Sequence, residues 1–277
     1  MTSFENRDRH TFIEGPQGQL HVDDGGAGGV PVVFVHSAAG STAHWESQLD
    51  HLRKARRALA IDLRGHGRSA APRDGDYHIP SLAADLRAAL DQLALPRVVL
   101  VGHSLGGVVC AAFAGANPDR VAGLFLLDPA SDGRQIPPVM AEQMMASLRA
   151  DAHAATAAYW AGMLAPSPAD VRARLMRDLR ATPAATIIGP LEALLTFDPV
   201  TPLSRYTGPR LAVITEANES PAALHAQVPG FPFRKVHTGH WVQLDDPDGV
   251  NRLLDEFLQS IPSVADGPAV AGSVRGR

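Results

Sequence analysis

A single cysteine, Cys110, stands among 277 residues. No intramolecular disulfide can form, and the count fits a reducing compartment. No apolar run approaches the roughly 18 residues that a membrane span needs. The stretch Met1–His10 is polar with charges of both signs and lacks the apolar core of a secretory signal. No run or stripe of Lys and Arg occurs and the formal net charge is −4, so a nucleic-acid partner is not expected. The metal-binding pattern H-E-x-x-H is absent, and no carboxylate or cysteine lies at ligand spacing from His237 and His240. These absences predict a cytoplasmic protein with no metal, no cofactor and no membrane or nucleic-acid partner.

What is there reads as one large domain, or one domain with an insertion. At this length a fold buries roughly 75% of the surface of its unfolded chain and needs no staples. Thr11–Glu14 and Gln19–Val22, around Gly15–Gly18, read as an opening hairpin. Val32–Val35, Ala58–Ile61, Val98–Val101, Leu124–Leu127 and Leu211–Ile214 are short, continuous apolar runs, as in strands buried on both faces. Between them, Leu82, Leu86, Ala89, Leu90 and Leu93 recur at helical spacing, Val108–Ala116 is apolar nearly all round, and Asn251–Leu258 is amphipathic. Strands alternating with helices predict a parallel sheet covered on both sides. Residues 132–206 break the rhythm. They read as helices at Val139–Leu148, His153–Met163, Ala169–Leu179 and Thr186–Leu195, punctuated by prolines. The division expected is a core of residues 1–131 and 207–262, a helical cap over 132–206, and a disordered tail over 263–277.

The strongest motif is Gly102-His103-Ser104-Leu105-Gly106. G-x-S-x-G alone is common. Here a buried-strand run stops directly before it and an apolar helix starts directly after it. A turn that sharp strains Ser104 and thrusts its hydroxyl out at a helix N-terminus, where free N–H groups favour developing negative charge. A serine hydroxyl needs a base. His240, in His237-Thr238-Gly239-His240-Trp241 after the strand-like Phe233–Val236, is the candidate, and Gly239 lets its loop approach the sheet. The amide of Leu105, just past the nucleophile, is one candidate oxyanion donor.

From about Thr11 to Leu258 the chain resembles the α/β-hydrolase superfamily. The residues that carry the resemblance are Val33-Phe34-Val35-His36 with Gly40, then Ile61-Asp62-Leu63-Arg64-Gly65-His66-Gly67-Arg68-Ser69, then Gly102–Gly107. Leu127-Asp128-Pro129, Gly239-His240-Trp241 and Asp246-Pro247 follow. The resemblance implies an eight-stranded, mostly parallel α/β sheet with helices on both faces, a triad in the order Ser, acid, His, and a helical cap between strands six and seven. It places the second oxyanion donor at Ala38, in His36-Ser37-Ala38, where relatives usually carry Gly in place of Ser37. Ser tolerates a left-handed backbone poorly. His36 reads as a structural bridge between loops, and Arg64 and His66 as structural or entrance residues. The usual acid position after strand seven holds Asn218, with Glu219 one place on. Asp128, closing strand six, is the other position used in the superfamily and the one preferred here.

Met140, Met144, Met145, Tyr159, Trp160, Met163, Leu164, Leu191, Leu195 and Phe197 in the insertion offer an adaptable apolar wall. No cluster of Arg or Lys suits a strongly anionic substrate. The function expected is hydrolysis of a medium-sized, largely apolar carboxylic ester or lactone through an acyl-enzyme, with Ser104, His240 and Asp128 catalytic. C–C bond hydrolysis or cofactor-free perhydrolysis would use the same residues. A non-catalytic ligand-binding member of the fold is the third reading.

Overall fold

The computed structural model describes residues 9–262. Eight strands form one sheet: β1 (His10–Glu14), β2 (Gln19–Gly25), β3 (Val32–Val35), β4 (Ala58–Ile61), β5 (Val98–His103), β6 (Val121–Leu127), β7 (Arg210–Ile214) and β8 (Phe233–Lys235). Their order across the sheet is β1-β2-β4-β3-β5-β6-β7-β8. Only β2 runs against its neighbours, and every pair from β4 to β8 is parallel. The eight-stranded, mostly parallel sheet implied by the motifs is the sheet observed.

Every residue of β3, β4, β5 and β6 is buried. Two-residue periodicity splits their side chains between two apolar clusters. Val33, Val35, Leu59 and Ile61 face one, while Val32, Phe34, Ala58 and Ala60 face the other. The helices in chain order are α1 (Glu46–Leu52), α2 (Ile79–Gln92), α3 (Leu105–Ala116), α4 (Pro138–Ala150), α5 (Ala152–Leu164), α6 (Ala169–Ala181), α7 (Ala184–Thr196), α8 (Val200–Arg205), α9 (Leu224–Gln227), α10 (Val242–Asp245) and α11 (Pro247–Gln259). α2 and α3 cover the first cluster with Leu82, Leu86, Val108 and Val109. α1 and α11 cover the second with Leu49, Leu52, Leu254 and Phe257. Burial of each such side chain stabilises the fold by roughly 1.5–3 kcal/mol.

Helices α4 to α8 all fall between β6 and β7. Prolines set four of the five starts: Pro137, Pro168, Pro183 and Pro199 each precede a first turn, because proline disfavours a helical conformation in the residue before it. α5 is instead capped by Asp151, whose side chain accepts from the Ala154 amide. α4 to α7 share a third apolar cluster built on Met145, Leu148, Trp160, Leu164, Leu175 and Leu179, joined by Ala39 and Trp241 from the sheet side. α8 differs from them. Its Leu203 lies in the α3 cluster, and a Cβ at Gly115 of α3 would stand 2.4 Å from the Pro202 carbonyl oxygen.

The connection after β3 goes to β4 on one side, and β5 lies on the other. The strand order therefore reverses at β3. In open parallel sheets a crevice forms outside the strand carboxyl ends at such a point. Among the described residues no helix is long and apolar enough to cross a membrane. The tail expected from Ser263 onward lies outside the described residues.

Candidate active site

Strand register assembles the site. Val35 pairs with Gly102, so the loop after β3 opens beside the end of β5. His103 pairs with Leu127, so Asp128 follows β6 beside Ser104. Leu127 in turn pairs with Val213, which sets Thr215 next to Asp128. Residues scattered over almost 180 positions converge because consecutive parallel strands end at one level.

Ser104 has φ 51° and ψ −116°, a left-handed region that costs a side-chain-bearing residue about 1–3 kcal/mol. The turn is over-determined. The Ser104 amide donates to the Leu127 carbonyl at 3.1 Å, and the Ser104 carbonyl accepts from Ala130 at 3.1 Å. A Cβ at Gly106 would stand 2.2 Å from the Val35 carbonyl oxygen and one at Gly102 would stand 2.4 Å from that of Gly106. Both glycines are there because backbone passes where a side chain would go. The close approach at Gly106 brings the 36–38 loop against the start of α3.

Asp128 also has a positive φ, 39°, and is 1% exposed. Its carboxylate accepts three hydrogen bonds: the Thr215 amide at 2.8 Å, the Thr215 hydroxyl at 2.9 Å and His240 Nδ1 at 2.6 Å. Burial pushes its pKa up. The His240 hydrogen bond and charge, with both Thr215 donors, outweigh burial and hold it below the ordinary carboxylate value. A carboxylate on Nδ1 fixes the imidazole with Nε2 free. His240 Nε2 and Ser104 Oγ make no protein hydrogen bond among the described residues, and both are reachable by solvent.

The two candidate oxyanion donors are likewise unspent. Among the described residues the amides of Ala38 and Leu105 have no protein acceptor. The Ser37 replacement does not strain this loop. The left-handed residue is Ala39, at φ 52°, and Ser37 turns its hydroxyl onto the Ala38 carbonyl at 3.3 Å. His36 bridges loops as the sequence suggests, with Nδ1 donating to the Ser37 carbonyl at 2.7 Å and Nε2 accepting the Leu63 amide at 3.0 Å. Burial drives its pKa down to about 3, so it is neutral and can fill both roles. His66 is buried against it and is also pushed down, to about 4, mainly by burial. Arg64 is buried in a bidentate pair with Asp85 of α2, at 2.5 and 2.7 Å.

Glu219 and Asn218 take other parts. Glu219 pairs at the surface with Lys235 at 2.9 Å. Asn218 is buried, donates to the Pro129 carbonyl at 2.9 Å and accepts from Ser131 at 3.0 Å. It braces the turn after Asp128. His237 meets Glu216 at the exposed edge.

Two residues of the site carried no sequence signal. His103 fills the variable place of the Ser104 motif. Its Nε2 donates to the His240 carbonyl at 2.9 Å and its Nδ1 accepts from Gln243 at 3.1 Å. Burial, then the nearby His240, pushes its pKa well down, so it braces the His240 loop as a neutral ring. Thr215 is the other. Only its place after the apolar run of β7 could have marked it.

Comparison with known proteins gives the same frame. A family model described as the alpha/beta hydrolase fold matches residues 30–247. A 2-hydroxy-6-oxo-2,4-heptadienoate hydrolase of Pseudomonas putida is 41% identical over 122 residues, 43% of each chain. The dihydrolipoyllysine-residue acetyltransferase component of an acetoin cleaving system, also of Pseudomonas putida, is 42% identical over 113 residues, 40% of this chain and 30% of that one. The chain thus spans less than half the length of these relatives. The solved structure of Est816, described as an N-acyl homoserine lactone degrading enzyme, superposes with a TM-score of 0.77 at 26% identity, over 89% of this chain and 100% of that one. With the model match running through the loop after β3, the Ser104 turn and the His240 loop, the chain belongs to the alpha/beta hydrolase fold family.

Proposed function

We propose that this protein hydrolyses carboxylic esters or lactones of medium size and largely apolar character through an acyl-enzyme on Ser104. The observation that carries the reading is the 2.6 Å contact of Asp128 with His240 Nδ1 beside a strained, solvent-reachable Ser104 flanked by two free amides. His240 Nε2 takes the proton from Ser104 Oγ as the oxygen attacks the carbonyl carbon. The tetrahedral oxyanion rests on the amides of Ala38 and Leu105. The imidazolium, stabilised by Asp128, then gives the proton to the leaving alkoxide. Water repeats the sequence and frees the acid. In a lactone the alcohol stays tethered to the acyl group and leaves with it.

Helices α4 to α7 act as the cap in this reading, with α8 counted to the core. Half-buried Met144, Met163, Ile188, Leu191 and Leu195 pack against the cap cluster, and Ala38, Ala130 and Leu194 against the sheet side. Apolar side chains on both sides favour a largely apolar acyl group. The similarity to an N-acyl homoserine lactone degrading enzyme supports the lactone arm. The 41% identity to a 2-hydroxy-6-oxo-2,4-heptadienoate hydrolase supports a second reading, C–C bond hydrolysis at the same residues.

A fluorophosphonate probe should label Ser104 in the wild type and nothing in Ser104→Ala. p-Nitrophenyl butyrate and an N-acyl homoserine lactone should be turned over by the wild type, with a loss of roughly 10⁴ or more in kcat for Ser104→Ala. Absence of labelling overturns the acyl-enzyme. Turnover of a vinylogous diketone without that of esters favours the second reading.

A further inference from the structure

The loop that carries His240 is gripped from two sides. On the sheet side its ring is held by Asp128 and its carbonyl by His103. On the helical side its amide donates to the Met163 carbonyl, in the last turn of α5, at 3.3 Å. Gly239 passes so close to the α5–α6 turn that a Cβ there would stand 2.3 Å from Ser167 Oγ, 2.6 Å from Asp245 Oδ2 and 2.9 Å from the Met163 carbonyl oxygen. Ser167 Oγ donates to Asp245 Oδ2 at 2.9 Å, and Arg172 donates to the Ser167 carbonyl at 2.6 Å, tying the turn to α6. Trp241 packs edge-on against Trp160 of α5, ring centres 4.6 Å apart.

Asp245 is costly where it stands. Its Oδ1 is buried without a partner. Burial lifts its pKa, and Ser167, then the Gly239 backbone and the nearby His240, only partly offset this. A half-satisfied carboxylate of this kind calls for a reason, and its place gives one. It sits at the end of α10, five residues past His240, and reaches the only hydroxyl in the α5–α6 turn.

We propose that Ser167 and Asp245 are positioning residues, a latch that fastens the α5–α6 turn to the 239–245 loop so that seating of the helical layer sets His240 over Ser104. The proposal rests on the reading of His240 as the base. Lifting the helical layer to admit substrate withdraws Met163 and Ser167 from the loop. The loop is then held from the sheet side alone, by Asp128 and His103. Closure of the layer completes the positioning of the base, which links enclosure of the substrate to reactivity.

Hydrogen exchange of the full wild-type chain at rising denaturant tests the latch without using activity. Peptides covering 160–168 and 238–246 should open together as one unit. Opening of one while the other stays protected overturns the proposal. Kinetics with p-nitrophenyl butyrate give the second arm. Ser167→Ala and Asp245→Asn should each lower kcat about tenfold with KM within about twofold, since orientation rather than binding is lost. The double variant should lose no more than the larger single loss, as for two ends of one contact. Wild-type kcat in either folded variant, or a loss confined to KM, overturns the latch. If the wild type neither turns over the ester nor takes the fluorophosphonate, the reading of His240 fails, and the exchange arm still decides whether the latch exists.

Discussion

The ends of β6 and β7 lie side by side and each offers an acid, yet the two environments share little. Asp128 closes β6 at 1% exposure, with three donors on its carboxylate and an imidazole among them. Glu219 follows β7 with about half its side chain exposed and a surface lysine for a partner. Between them Asn218 occupies the place where the family usually keeps its acid and makes hydrogen bonds that a carboxylate could not, since its amide donates to the Pro129 carbonyl. The comparison teaches that a carboxylate can be kept charged inside a fold when its desolvation is matched by aimed donors. In water-facing surroundings the same group is worth little to its partner.

The comparison breaks first at Asp128. Asp128→Asn should keep the fold and lose roughly 10⁴ in kcat, because a neutral amide can neither fix the Nδ1–H tautomer of His240 nor stabilise its imidazolium. Steady-state assay with a p-nitrophenyl ester checks this, and a loss under tenfold would move the acid elsewhere. Thr215→Val comes next. It removes one of the two Thr215 donors to the buried charge and should lower kcat about tenfold and stability by about 1–2 kcal/mol, read by urea unfolding.

A smaller effect separates wild type from Asp128→Asn in acid. The folded pKa of Asp128 lies below its unfolded value, so its contribution to stability is present above about pH 4 and lost as pH falls through the folded value. The stability difference between the two proteins should shrink below about pH 4, seen as converging Tm values in a pH series. Asn218→Ala should loosen the turn after Asp128 with a kcat loss of a few-fold at most, because it touches only backbone and Ser131. Smallest of all, Glu219→Gln should change kcat/KM by less than about twofold and leave Tm in place. A large loss there would invert the comparison.

Most of the sheet was legible because its strands are short apolar runs that alternate with helices, a pattern that leaves few arrangements. The four helices read between 132 and 206 lie within α4 to α7, since proline marks the starts of three of them in the sequence itself and a capping aspartate, Asp151, that of α5. Less legible were α1, α9 and α10, which are short and take their shape from packing more than from periodicity. The extra helix α8 was hidden for another reason. Whether six residues belong with the insertion or with α3 is a matter of which surface they meet, and composition is the same in either case. In the site, Ser104 and His240 stood out because a strained turn and a loop after a strand need particular residues in sequence, although Gly239, expected to let that loop approach the sheet, instead passes against the α5–α6 turn. Asp128 against Glu219 stayed open, because both follow strands that end on the same side of the sheet.

The sequence by itself determined the strands, the sharp turn that projects Ser104 and the loop that brings His240, since each depends on local residue types and spacing. Only the tertiary structure decided that the carboxylate facing His240 is Asp128, that Ser37 leaves the strain to Ala39, and that the His240 loop is held by His103 on one side and by Ser167 and Asp245 on the other. Those facts depend on which atoms lose water together and which donors then point at them, and residues far apart in the chain meet only when the strands have taken their places in the sheet.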